Sequence, residues 1–214
     1  MDDPAQTVAD RLVATSGHVV LTGGSTPRKA YERAAELRHD WSGVTFWFSD
    51  ERCVPPEDDR SNYRMVDQAL LSISTGAGVR RMEGERGPGD GARHYSDQLG
   101  AVFGYELPEV DLMLLGIGPD AHLCSLFPRA PALQEREQYV VGVEDAGMEP
   151  LVSRVTLTLP VVDAARELIF LVTGEGKAEA LHRALGDPHP DAPSSLVKNP
   201  DARVVCDQAA ASGL

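Results

Sequence analysis

The stretch HVVLTGGSTPRKAYERAAELRH (residues 18–39) changes its periodicity once, and that change decides how the whole chain is read. HVVLTGG, His18 to Gly24, is apolar up to two glycines and reads as a buried strand closed by a turn. PRKAYERAAELRH then has helical spacing, with Pro27 suited to the first helical turn and Ser25 or Thr26 available as the cap. The same unit recurs. VTFWFSD (Val44 to Asp50) is a second strand, followed by a proline-rich loop and the helix SNYRMVDQALL. DLMLLGIG (Asp111 to Gly118) is the most apolar strand, and ELIFLVTG (Glu167 to Gly174) runs into the helix GKAEALHRAL. VRRM, Gln138 to Val143, Arg154 to Thr158 and Ala202 to Asp207 read as shorter strands, and Gly89 to Phe103 as a helix. Apolar strands separated by helices indicate an α/β fold: a doubly wound, mostly parallel, Rossmann-like sheet with helices on both faces. Residues 84–91 form a flexible connection rather than a boundary, so residues 1–214 are expected to form one domain, with room for a small lobe.

Composition narrows the function. The formal charge is −13, which argues against nucleic acid or an anionic membrane as partner, because both demand a positive face. No apolar run approaches the roughly 18 residues that span a bilayer. MDDPAQTVAD is acidic and does not read as a signal peptide. Cys53, Cys124 and Cys206 are scattered, without CxxC spacing, so neither a disulfide frame nor a zinc site is suggested. A reducing cytoplasm fits best, with a small-molecule substrate and a monomer or weak homodimer expected. Only three lysines exist, Lys29, Lys177 and Lys198, so a lysine inside a loop motif stands out.

In a parallel sheet, ligands sit beyond the carboxyl ends of the strands. Four loops directly follow predicted strands: LTGGSTP, FSDERCVPP, GIGPDAHLCSLFP and VTGEGK. In the first, Gly23, Gly24 and Ser25 open a helix whose free N–H groups suit a phosphate, or else simply make a tight turn. It is neither a Walker loop nor a GxGxxG fingerprint, so nucleotide binding is not supported. In the second, Arg52 offers a planar donor fork for phosphate or an oxyanion, although a charged triplet is more often a surface salt-bridge cluster. Lys177 sits at a helix start, where a cation is disfavoured unless an anion joins it. Arg154 is a further cation beside an apolar strand, otherwise a surface residue with a snorkelling stem. In the third loop, Asp120 and His122 lie two apart. On an extended chain they would share a face, letting the carboxylate orient the imidazole as a general base. Cys124 reads as a small packing residue. No metal-ligand spacing is present, and neither a metal nor a cofactor is expected.

Taken together, LTGGSTP, FSDERCVPPEDDRSNYRM (Phe48 to Met65), GIGPDAHLCSLFP, RVTLTLP (Arg154 to Pro160) and TGEGKAEAL (Thr173 to Leu181) resemble the 6-phosphogluconolactonase family, within the group that includes the glucosamine-6-phosphate deaminases. Asp50–Glu51–Arg52 and Ser125–Leu126–Phe127–Pro128 are lactonase-like where deaminases carry DEY-like and AFNEP-like segments. The family's DGHTASLFPG departs here at Ala121, Leu123, Cys124 and Arg129. If the family glycine has positive φ, alanine at 121 costs about 1 kcal/mol or more. The chain is short for the family, with a trimmed N-terminal element expected.

The resemblance implies hydrolysis of 6-phospho-D-glucono-1,5-lactone to 6-phosphogluconate, in the oxidative pentose phosphate pathway. It assigns His122 as general base, Asp120 as its orienting acid, and Gly23, Gly24, Ser25, Arg52, Arg154 and Lys177 to the phosphate. Arg52 alternatively faces the carbonyl oxygen. Two rivals share the cradle: an amino-sugar-phosphate deaminase or isomerase using Asp50 or Glu51, and a non-catalytic sugar-phosphate binder.

Overall fold

The computed structural model describes residues 3–214. Its first element is a helix that the apolar pattern marks only weakly: α1 (Pro4–Val13) buries Ala5, Val8, Ala9 and Leu12, three of them small or β-branched. Asp3 caps it by accepting the Ala5 N–H at 3.0 Å. The chain then alternates as expected through β1 (Gly17–Leu21), α2 (Ser25–Leu37) and β2 (Val44–Phe48). There follow β3 (Asp50–Arg52), α3 (Asn62–Ala69), β4 (Gly78–Val79), α4 (Pro88–Phe103) and β5 (Leu112–Leu115). The last third holds β6 (Val140–Val143), β7 (Arg154–Leu157), α5 (Leu159–Asp163), β8 (Leu168–Val172), α6 (Ala178–Ala184) and β9 (Ala202–Cys206).

Six strands form a sheet in the order β4-β2-β1-β5-β8-β9, with every pairing parallel. All residues of β5 and β8 are buried. Because successive side chains point to opposite faces, both faces of the sheet's centre are covered, which is why these strands read as unbroken apolar runs. The fold is the mostly parallel α/β architecture that the alternation predicts.

Three features differ from the sequence reading. The charged triplet Asp50–Arg52 is a strand and not a loop. It pairs antiparallel with β7, and β7 pairs antiparallel with β6, giving a second sheet ordered β3-β7-β6. The VRRM strand is shifted to Gly78–Val79, so Arg80 to Met82 lie outside it. The cap of α2 is Gly24, with no side-chain hydrogen bond from Ser25 or Thr26.

Two buried tyrosines fasten the sheet where it matters. The Tyr31 hydroxyl, on α2, accepts from Thr22 N at 3.0 Å and donates to Thr22 O at 3.0 Å, just past β1. The Tyr95 hydroxyl, on α4, accepts from Phe48 N at 2.7 Å and donates to Phe48 O at 3.2 Å, at the end of β2. Each phenol satisfies a backbone pair that the ladder leaves open where a strand gives way to a loop. Burial pushes the pKa of the Tyr31 hydroxyl well above its ordinary value, so it stays a neutral donor and acceptor.

Candidate active site

From β1 the chain passes through α2 to β2 on one side of the sheet, while β5 leads to β8 on the other. The connections diverge between β1 and β5, which opens a crevice beyond their carboxyl ends. The loops after β1, β5 and β8, together with β3 and β7, enclose a cavity of about 260 Å³ there. Gly23, Gly24, Ser25, Arg52, His122, Arg154 and Lys177 all line it. Asp120 reaches it through His122.

At the α2 end, Gly24 has φ 115°, a conformation that favours glycine. The first turn of α2 has no side-chain cap, and its residues Ser25 and Thr26 line the cavity, an arrangement that suits an anion. The Thr26 and Thr173 hydroxyls meet at 3.0 Å and tie this loop to the one after β8.

The cations come from different parts of the chain. Arg52 on β3 and Arg154 on β7 are direct partners in the antiparallel register. Like charges opposite one another are unfavourable in a sheet, so the pair calls for a counter-anion. Arg154 is not a surface residue: it is 3% exposed. Its guanidinium donates to Val152 O at 3.0 Å, Pro150 O at 2.6 Å and Met148 O at 3.4 Å. Burial, and then the charge of Arg52, lowers its pKa against the opposing pull of Asp50 and Glu51. Arg52 donates to Arg60 O at 2.5 Å, while its Nε is buried with no hydrogen-bond partner among the described residues. Lys177 donates to Ile117 O at 2.7 Å, and burial holds its pKa below the ordinary lysine value despite the charge of Asp120.

Among the described residues, arginines such as Arg11, Arg28, Arg60 and Arg81 form ion pairs with carboxylates, whereas Arg52, Arg154 and Lys177 form none. The DER triplet is therefore not a salt-bridge cluster. Glu51 accepts N–H groups from Arg52, Asn62 and Tyr63 and the Ser61 hydroxyl, all within 3.0 Å. Asp50 accepts from the Ser125 hydroxyl at 2.7 Å.

His122 meets its acid by a different route from the one an extended chain would provide. Residues 118–122 form a tight turn, in which Ala121 N donates to Gly118 O at 2.9 Å and Gly118 N to His122 O at 2.8 Å. Ala121 has φ 66°, the left-handed conformation whose cost to a non-glycine residue the sequence reading anticipates. The turn folds Asp120 back, so that its Oδ1 accepts the His122 N–H at 3.1 Å and faces His122 Nδ1 at 2.5 Å. Burial disfavours the Asp120 carboxylate, but its hydrogen bonds and the charge of His122 outweigh this and set its pKa below the ordinary value. The imidazole lies over Gly118, where a Cβ would sit 2.0 Å from Nδ1. Phe127 packs against the same ring, with centroids 4.8 Å apart. With Nδ1 held by a carboxylate, Nε2 is the nitrogen left for a ligand.

Cys124 is buried, and burial raises its thiol pKa well above the ordinary value, which suits a packing residue. The sequence reading does not single out Asn62, Thr173, Phe127 or Ser194. Asn62, Phe127 and Thr173 lie inside quoted motifs, but Ser194 carries no local signal.

Comparisons with known proteins show the family. A family model described as glucosamine-6-phosphate isomerases/6-phosphogluconolactonase matches residues 3–206. The 6-phosphogluconolactonase of Rattus norvegicus is 42% identical over 173 residues, covering 78% of this chain and 66% of the rat protein. That of Homo sapiens is 41% identical over the same length, covering 78% and 67%. The chain thus spans about two thirds of these curated relatives. The structure of 6-phosphogluconolactonase from Trypanosoma cruzi superposes with TM-score 0.88 at 26% identity, covering all of this chain and 95% of that one. A monomeric glucosamine-6-phosphate deaminase shares the fold, with TM-score 0.79 at 21% identity. By sequence and by fold, the chain belongs to the glucosamine-6-phosphate isomerase/6-phosphogluconolactonase family of enzymes.

Proposed function

We propose that this chain is a 6-phosphogluconolactonase, a carboxylic ester hydrolase that opens 6-phospho-D-glucono-1,5-lactone to 6-phosphogluconate in the oxidative pentose phosphate pathway, with residues 1–214 acting as one domain. The observation that carries the proposal is the meeting, in one cavity, of an acid-paired imidazole with three cations that have no acidic partner among the described residues. A lactone on a sugar that carries a phosphate at a remote carbon needs both.

In this reading, Arg154, Lys177 and the open N–H groups at Gly24 and Ser25 hold the phosphate, and the unpartnered Arg52 Nε donates to the phosphate or to the carbonyl oxygen. Anchoring the phosphate sets C1 against His122, and a misplacement of about 1 Å can cost 10²-fold. His122 Nε2 takes a proton from a water as its oxygen bonds to C1. Asp120 stabilises the imidazolium that forms. The C1–O5 bond then breaks, and the imidazolium returns its proton to the departing ring oxygen, which becomes the C5 hydroxyl. General acid–base assistance of this kind contributes about 10²–10⁴-fold.

The test is lactone consumption by purified protein, measured above the spontaneous rate. Wild type is expected to exceed that background, and His122→Ala to lose most of the excess. If both are equally inert, or equally active, the proposal fails.

A further inference from the structure

Ala121 carries a conformational conflict: a side chain bearing a Cβ, fully buried, in the left-handed region, one residue before the imidazole. The turn's own hydrogen bonds close around it but leave its carbonyl free. That carbonyl points to Ser194, in the short 3₁₀ turn Pro193–Leu196, 73 residues away in sequence. Ser194 N donates to Ala121 O at 3.0 Å, and Ser194 Oγ donates to the same oxygen at 2.8 Å. Ser194 is itself buried. Both donors of one residue thus converge on the carbonyl that follows the strained φ, and rotating Ala121 out of the left-handed region would tear that carbonyl from both.

We infer that Ser194 is a positioning residue: its hydroxyl clamps Ala121 in the left-handed conformation and thereby aims the His122 ring. The inference rests on the lactonase reading for its kinetic readout but not for its structural one. The clamp answers a local need. Asp120 can hold Nδ1 only while the turn brings residues 120 and 122 together, and that turn requires Ala121 to stay at positive φ. A glycine at 121 would reach the same φ without help.

The experiment is a double-mutant cycle with Ser194→Ala, Ala121→Gly and both together, alongside wild type and His122→Ala. Ser194→Ala is expected to lower kcat about 10-fold with KM within twofold, because the phosphate cradle is untouched. In the Ala121→Gly background the same change is expected to cost less than twofold. A purely structural role for Ser194 would carry the same loss into both backgrounds. The second readout is the proton NMR resonance of the His122 Nδ1 hydrogen bonded to Asp120. It is expected to weaken or broaden in Ser194→Ala and to return in the double variant.

Inert wild type would overturn the lactonase reading and leave the clamp to be judged by the resonance alone. Active wild type with unchanged kcat and resonance in Ser194→Ala would overturn the clamp and spare the lactonase reading. An equal loss in both backgrounds would also overturn it.

Discussion

Replacing Asp120 with asparagine separates two things this acid does, because one atom does both. Oδ1 accepts the backbone N–H of His122 at 3.1 Å and faces Nδ1 at 2.5 Å. In Asp120→Asn the backbone N–H demands an acceptor at that position, which pins the amide oxygen there and turns the NH₂ group away. Nδ1–H then still donates to an oxygen, the tautomer survives, and Nε2 keeps its lone pair. What disappears is the negative charge. Two opposite unit charges about 4 Å apart at an effective dielectric constant of about 20 attract by about 4 kcal/mol. The amide dipole and local solvent retain part of this, leaving a loss of about 2–3 kcal/mol when the imidazolium forms, or about 10²-fold in kcat. Asp120→Ala removes charge and acceptor together and loses about tenfold more. KM should stay within threefold in both, since no phosphate contact is touched. The assay is initial-rate lactone hydrolysis corrected for the spontaneous reaction, with circular dichroism to check folding. If Asp120→Asn keeps more than a third of wild-type kcat, the acid does not stabilise a developing imidazolium. If it is as inactive as Asp120→Ala, the pinned-oxygen argument is wrong.

Removing the lysine of the cradle, as Lys177→Ala, should raise KM about 10–100-fold with a smaller change in kcat, because a charge-assisted hydrogen bond contributes about 1.5–3 kcal/mol. Burial lowers the Lys177 pKa, so its charge is lost as pH rises through a value below that of an ordinary lysine. Wild-type KM should therefore climb in the alkaline range earlier than a free lysine would dictate, and a KM–pH profile that is flat there and unchanged in Lys177→Ala contradicts this. Tyr31→Phe strips the hydroxyl from the backbone pair of Thr22, at the mouth of the first site loop. Leaving those buried groups unpaired should cost about 1–3 kcal/mol. The urea midpoint should fall accordingly, and KM should rise as the loop loosens; an unchanged midpoint would show that the phenol is dispensable.

Much of the fold was legible because its signals are local. β5 and β8 are buried on both faces, and they read as apolar runs. α3 announces itself through Ser61, whose hydroxyl accepts Arg64 N at 3.1 Å as an N-cap should. Of the second sheet, β6 and β7 were legible as strands, but β3 and the grouping of the three into a separate sheet were not. Asp-Glu-Arg is three charged residues long and has no apolar alternation to detect, and it becomes a strand only because β7 lies alongside it. α1 was missed because alanine and valine give its buried stripe little contrast. The N-cap of α2 was misread because Ser25 and Thr26 are good caps, yet the backbone enters the helix through Gly24 at positive φ.

The amino-acid order by itself determined the parallel α/β architecture and the placing of the site loops after strands, since strand period, helix period and glycine turns are properties of neighbouring residues. Parallel strands of one sheet end on the same side, so the convergence of those loops also follows from order alone. Tertiary structure decided how the groups within the site meet. Arg154 faces Arg52 because of a register between strands about 100 residues apart, and that register brings two repelling cations to one cavity. Asp120 faces His122 through a left-handed turn, and that turn is clasped by Ser194 from a distant segment. Hydrogen-bond partners and charge pairs of this kind depend on which surfaces approach in space, and no periodicity along the chain encodes that.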